Sequence, residues 1–71
     1  MKRSLLIGSN GYLGRHFAHF LEREGFENHN YDIHPEPALG ITKYKSLDIT
    51  RKEGFENLDS EVDYIFMFAG I

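Results

Sequence analysis

The chain of 71 residues contains no cysteine. That excludes a disulfide framework, a thiolate zinc site and a catalytic thiol, and it fits a reducing compartment. Positive charge is also short: 8 Lys and Arg stand against 11 Asp and Glu, a net charge of −3, which argues against a nucleic-acid or anionic-membrane surface. Long apolar runs are missing. The stretch after Met1-Lys2-Arg3 stops at Gly8, too short for the core of a signal peptide, and no segment approaches the roughly 20 apolar residues of a membrane span. A soluble, cytoplasmic protein with neither nucleic acid nor membrane as partner is expected. Only two prolines occur, both inside His34-Pro35-Glu36-Pro37, so that stretch reads as a loop. Nothing repeats, and nothing is low in complexity.

What is present has an ordinary globular balance, 41% apolar and 27% charged, unlike that of a disordered chain. The length allows one small domain, residues 1–71. A domain near this size buries only about 60% of the surface its unfolded chain exposes, so the core is thin. Residues 3–7 end in Leu-Leu-Ile before a glycine, the pattern of a strand buried on both faces. From Gly11 the period changes: Leu13, Phe17, Phe20 and Leu21 mark the core stripe of an amphipathic helix that Gly25 closes. Residues 28–33 form a second strand candidate and residues 44–49 a third. Thr50 and Glu53 have the spacing of a capping box over a short helix, with Phe55 and Leu58 toward the core. Residues 62–68 are nearly all apolar or aromatic, like a buried parallel strand. Strands alternating with helices give an α/β layer structure with parallel pairing. The link from second to third strand is its weakest point, barely the length of a parallel crossover.

Three glycines sit between the first strand and the first helix, in Gly8-Ser9-Asn10-Gly11-Tyr12-Leu13-Gly14. A turn at Gly8 can require positive φ. At Gly11 a side chain would keep a ligand from the backbone, and at Gly14 a missing Cβ lets helix and strand pack closely. The first-turn N–H groups and the helix dipole then make a cradle for a pyrophosphate. The spacing differs from Gly-x-Gly-x-x-Gly, and no Gly-Lys-Ser/Thr ends the turn, which excludes a P-loop. Asp32, 18 residues beyond Gly14, is placed to accept from adenosine ribose hydroxyls and to repel a 2′-phosphate, so NAD is expected over NADP; the nearby cations Arg15 and His34 soften that preference. As a residue of the fold alone, Asp32 would be a surface turn residue before Pro35.

Together "GSNGYLGRHFAHFLEREGF", "YDIHP", "SLDITRKEGFENL" and "DYIFMFAGI" resemble the N-terminal part of an extended short-chain dehydrogenase/reductase, of the NAD-dependent epimerase/dehydratase family. The resemblance runs from Lys2 to Ile71. It implies a Rossmann-like half with four parallel strands in the order 3-2-1-4, flanking helices and a truncated sheet. It also implies chemistry on nucleotide sugars or similar small molecules through transient hydride transfer to NAD. By position, Gly8, Asn10, Gly11 and Gly14 would make the phosphate turn, with Tyr12 and Leu13 on its crest. Asp32 would hold the adenosine ribose, Asp48 and Ile49 would read the adenine edge, and Ala69 and Gly70 would pass the cofactor's central sugars.

The family's catalytic pair is Tyr-x-x-x-Lys, and none of Tyr12, Tyr31, Tyr44 or Tyr64 has a lysine four residues on. No catalytic residue is therefore assigned, and the chain by itself is expected to show no turnover. It reads as the first half of an enzyme. The alternatives are a noncatalytic nucleotide-binding or interaction module that kept the fold, or a small fold that binds nothing. Left as an edge, the fourth strand would recruit partners, so a homo-oligomer through that strand and the uncovered sheet is expected. His16 and His19 lie i, i+3 with no carboxylate four residues to either side, and read as a solvated helix face rather than a metal site. The phenylalanines read as core, and Asp48 without a ligand would be a helix-entry carboxylate.

Overall fold

The computed structural model describes residues 1–56, 58 and 61–69. Six elements follow one another: β1 (Arg3–Ile7), α1 (Tyr12–Arg23), β2 (Glu27–Asp32), β3 (Tyr44–Ser46), α2 (Lys52–Glu56) and β4 (Tyr64–Met67). All strand pairs are parallel, and the order is β3-β2-β1-β4. The α/β arrangement is thus the one expected. Among the described residues no helix is long and apolar enough to cross a membrane.

β1 is central, and Leu5, Leu6 and Ile7 are at most 1% exposed. Burying each such side chain contributes about 1.5–3 kcal/mol. Alternation along the strands sorts the two faces. Ser4 and Leu6 share one face with Asn28, Asn30, Tyr64 and Phe66. There Leu6 packs with Ala18 of α1 and with Ile41, and Phe17, Tyr44, Phe66 and Phe68 close around them.

α1 ends as expected at Gly25, whose φ is 85°. Gly25 N–H donates to the Glu22 carbonyl and Phe26 N–H to the Leu21 carbonyl, a Schellman ending. Its buried face differs from the expected stripe. Gly14, Ala18 and Leu21 are buried, whereas Leu13 is 54% and Phe20 44% exposed. The reason is close approach. A Cβ on Gly14 would lie 1.9 Å from the Gly8 carbonyl oxygen, so α1 lies backbone-close to the turn after β1. The two small residues become the contact line, and Leu13 and Phe20 are left exposed beside it. Phe17 bridges the two positions, with its ring 4.8 Å from that of Phe66 and 5.1 Å from that of Phe68.

Beneath α1 runs a buried polar chain that apolar patterning does not reveal. Ser4 Oγ donates to Asn28 Oδ1, Asn28 Nδ2 to Asn30 Oδ1, and Asn30 Nδ2 to the Thr42 carbonyl, each at 2.8 Å. Among the described residues no buried side-chain nitrogen or oxygen lacks a partner, so the chain avoids the desolvation penalty of unmade bonds.

The remaining elements are shorter than expected. The crossover from β2 to β3, residues 33–43, contains no helix. β3 stops at Ser46 because Asp48 opens a turn. α2 starts at Lys52, so Arg51 rather than Thr50 holds the N-cap position, and the Thr50 hydroxyl is turned to Asp48. Phe55 is 45% exposed, against expectation, while Leu58 is half-buried. Gly54 lets α2 approach: a Cβ there would lie 2.7 Å from the Asp48 carbonyl oxygen. β4 is an edge, with Tyr64, Ile65 and Met67 exposed, so the two-sided burial its composition suggested is not realised.

The Gly14 contact yields a stability test. Alanine in a helix interior is favoured over glycine by about 1 kcal/mol, so propensity alone predicts that Gly14→Ala stabilises. The clash with backbone predicts the reverse, a net loss of about 3 kcal/mol. A urea midpoint that rises in the variant would show that α1 can slide away from the turn.

Candidate functional site

The carboxyl ends of β1, β2 and β4 meet at the glycine turn. Gly8 and Ser9 N–H groups both donate to the Tyr31 carbonyl, at 2.7 and 3.2 Å, and Phe68 N–H donates to the Ile7 carbonyl at 2.7 Å. Neighbours on opposite sides of β1 thus follow the chain in opposite directions, which makes this the switch point where open α/β sheets hold ligands. A cleft of about 330 Å³ lies there, inside the range of about 300–1,000 Å³ usual for small-molecule sites.

Of the residues singled out, Gly8, Asn10, Gly11, Asp32, Asp48, Ile49 and Ala69 line this one cleft. Tyr12 and Leu13 stand outside it, exposed on the crest. Gly14 is buried beneath the turn, and Gly70 lies outside the described residues. Ile7, Ile33, His34, Leu47, Thr50 and Phe68 complete the lining. The sequence carries no local signal for most of these, since they arrive from the ends of different strands.

The three glycines have three different environments. Gly8 has φ 101°, and a Cβ there would lie 2.6 Å from the Ala69 amide nitrogen, so both conformation and space require glycine. Gly14 is excluded from carrying a side chain by the Gly8 carbonyl. Gly11 has φ −70° and ψ 165°, an extended conformation open to any residue. A Cβ there would meet only the Gly8 carbonyl oxygen, at an ordinary 3.6 Å. No side chain caps α1, and no acidic residue lies in its first turn. The first-turn N–H groups lack intrahelical partners by construction, and they carry the positive end of the helix dipole.

Asp32 stands across the cleft with its side chain 12% exposed. Its carboxylate accepts from the Asn10 amide at 2.9 Å, from the Ile33 amide at 2.8 Å and from the His34 amide at 3.5 Å. A carboxylate offers about four acceptor positions, which leaves one for a ligand hydroxyl. His34 Nε2 lies 3.9 Å from Asp32 Oδ1. Tyr44 sits behind this carboxylate. Burial, and next the Asp32 charge, raise its hydroxyl above the usual tyrosine value, which keeps it a donor to the carbonyls of Asp32 and His34.

Asp48 accepts from the Thr50 amide at 2.9 Å and from the Thr50 hydroxyl, with Arg51 Nε at 3.6 Å. It therefore combines the helix-entry arrangement with a place on the cleft wall. Among the described residues no three His, Asp or Glu side chains gather to hold a metal ion. His19 is not fully solvated, because it packs against Gly40. No family model, curated protein or solved structure matches the chain.

Asp48 carries a pH dependence. Its hydrogen bond from the Thr50 hydroxyl, followed by that from the Thr50 amide, holds the carboxyl below the usual value, which is about 3.9. A depressed folded value contributes stability above the unfolded value and loses it as the pH falls through the folded one. Asp48→Asn is expected to lower the melting temperature at pH 7, and the gap from wild type is expected to close below pH 4. A gap that is constant from pH 7 to pH 2 would assign the effect to packing.

Proposed function

We propose that the cleft binds the adenosine and pyrophosphate part of a dinucleotide, NAD in preference to NADP. On this reading the chain is the dinucleotide-binding portion of an NAD-dependent oxidoreductase of the epimerase/dehydratase kind, acting on a nucleotide sugar or similar small molecule in the cytoplasm. The observation that carries the reading is Gly11. The turn explains Gly8 and packing explains Gly14, but neither conformation nor neighbours require glycine at the cap of α1. The fold leaves an open space there, against free N–H groups at the positive end of a 12-residue helix. An anion brought against that backbone would need the same space, so the residues present fit the group.

In this arrangement the first-turn amides of α1 hold the pyrophosphate. Asp32 accepts from a ribose hydroxyl, and its charge disfavours a phosphate at the same place. Asp48 and Ile49 offer a carboxylate and an apolar side chain to the base. The nicotinamide supplies a hydride acceptor when bound, and the chain's own tyrosines lack the lysine partner that proton transfer in the family uses. The proposal is therefore one of binding, with no turnover by this chain alone.

Gly11→Asp separates this reading from a fold that binds nothing. Aspartate is a strong N-cap residue and complements the dipole, so thermal stability is expected to hold or rise by about 0.5–1 kcal/mol. The same carboxylate would fill the anion space, so NAD binding in calorimetry is expected to disappear. Wild-type protein without NAD binding, or equal binding by both proteins, refutes the assignment.

The partner on the outer edge of β4 is proposed to be a second copy. The opposite edge, β3, is three residues long, with exposed Lys45 in its middle and exposed Lys43 just before it, a protected edge. β4 has no charge between Tyr64 and Met67. Antiparallel pairing about a two-fold axis through Ile65 would set Tyr64 against Phe66 and Ile65 against its own copy, so residues of the same face meet, with Asp63 opposite Met67 and not opposite its own copy. Sedimentation at micromolar concentration is expected to give a dimer that Ile65→Lys dissociates; a clean monomer of the wild type overturns this.

A further inference from the structure

The loop of residues 33–38, which brings Ile33 and His34 to the cleft, is held by side chains from outside it. Ser46 Oγ donates to the Ile33 carbonyl at 3.2 Å, and the Tyr44 hydroxyl donates to the His34 carbonyl. The Asp32 carboxylate accepts from the Ile33 and His34 amides, and the Asn10 carboxamide makes two more bonds: its Nδ2 donates to the Glu36 carbonyl and its Oδ1 accepts from the Ala38 amide, both at 2.9 Å. Pro35 and Pro37 have no N–H to offer, so the loop makes few bonds of its own. Asn10 is also joined through its main chain, since its amide donates to Asp32 Oδ2 at 2.9 Å. The phosphate side and the ribose side of the cleft therefore meet at one residue, whose side chain is spent on the loop.

We infer that Asn10 is a positioning residue. It fixes the 33–38 loop against the glycine turn and presets the adenosine side of the cleft without itself binding the phosphates. A ligand that spans both sides gains from the preset loop, because ordering it on binding would otherwise reduce affinity. A ligand that fills only the glycine turn gains nothing. This inference rests on the dinucleotide reading above.

The experiment uses the full chain, with NAD and inorganic pyrophosphate as probes in calorimetry, and amide hydrogen exchange as a readout that needs no ligand. In wild type the Ala38 amide is expected to be protected. In Asn10→Ala its exchange is expected to speed up about tenfold, while the Leu6 amide in the central strand is unchanged. NAD affinity is expected to fall about tenfold, and pyrophosphate affinity to change less than twofold. Asn10→Asp keeps the acceptor for Ala38 and loses the donor to Glu36, so it is expected to fall between the two and to report if the alanine variant does not fold. Equal loss of both ligands would make Asn10 a phosphate contact and overturn the inference. Unchanged NAD affinity with Ala38 deprotected, or an Ala38 amide already unprotected in wild type, would overturn it too. A wild-type chain that binds neither probe overturns the dinucleotide reading and this inference together, whereas the other failures leave that reading standing.

Discussion

Everything in this small fold is arranged around one exclusion: no atom can stand between Gly14 and the carbonyl of Gly8. A hypothetical Cβ only 1.9 Å from that oxygen means that helix and turn touch through their backbones. The contact sets the rotation of α1, and with it the buried line Gly14, Ala18 and Leu21. It also aims the helix's first turn at the point where β1 has β2 on one side and β4 on the other. On the far side of the turn, Gly8 is pressed against Ala69 with a positive φ, so the end of β4 is fixed by the same residue. A glycine inside a helix costs about 1 kcal/mol relative to alanine. Here that cost is offset by the packing of an entire helix on the sheet.

How much of this was legible in the residues differs by kind of signal. The closing glycine of α1 and the placing of Gly8, Gly11 and Asp32 follow from punctuation and spacing, which local sterics enforce, whereas the strand order and the places of Asp48 and Ala69 are implied only by the family resemblance. The rotation of α1 does not. Hydrophobic periodicity marks an arc of Leu13, Phe17, Phe20 and Leu21, but the centre of contact is chosen by the smallest residues, because they permit the closest approach. Gly54 acts in the same way: it allows α2 to lie on the Asp48 carbonyl. Ile33 and Phe68 carry no local mark at all, since their place on the cleft is a property of strand ends brought together.

Buried polarity was the least legible feature. Asn28 and Asn30 are polar residues whose burial no apolar pattern marks, yet they are 6% and 5% exposed. Their bonds have a directional consequence that leucines would lack. A slip of β2 by one residue would turn His29 and Tyr31 toward α1 and leave the Ser4 hydroxyl, which is fully buried, without its acceptor. Apolar packing in a thin core tolerates substitution and repacking. The Ser4–Asn28–Asn30–Thr42 chain does not, so it selects one register of β1 against β2, and the Asp32 carboxylate depends on that register for its place opposite the glycine turn.

The same logic separates the two edges of the sheet. At β3, shortness and lysines discourage pairing, while Tyr44 and Ser46 turn their hydroxyls to the carbonyls of the 33–38 loop. β3 is thus occupied with building the wall of the cleft. At β4 both faces are apolar or aromatic, with Tyr64 and Phe66 on the helix side and Ile65 and Met67 on the other, while the residues that follow it, Phe68 and Ala69, line the cleft. The strand's exposed edge and the cleft end that follows it are parts of one continuous segment, residues 64–69. Any element that pairs with β4 must therefore order Phe68 and Ala69 as well, and through Ala69 it bears on Gly8. A contact made at the edge of the sheet reaches the glycine turn by one strand and one van der Waals contact, with no intervening loop to absorb it.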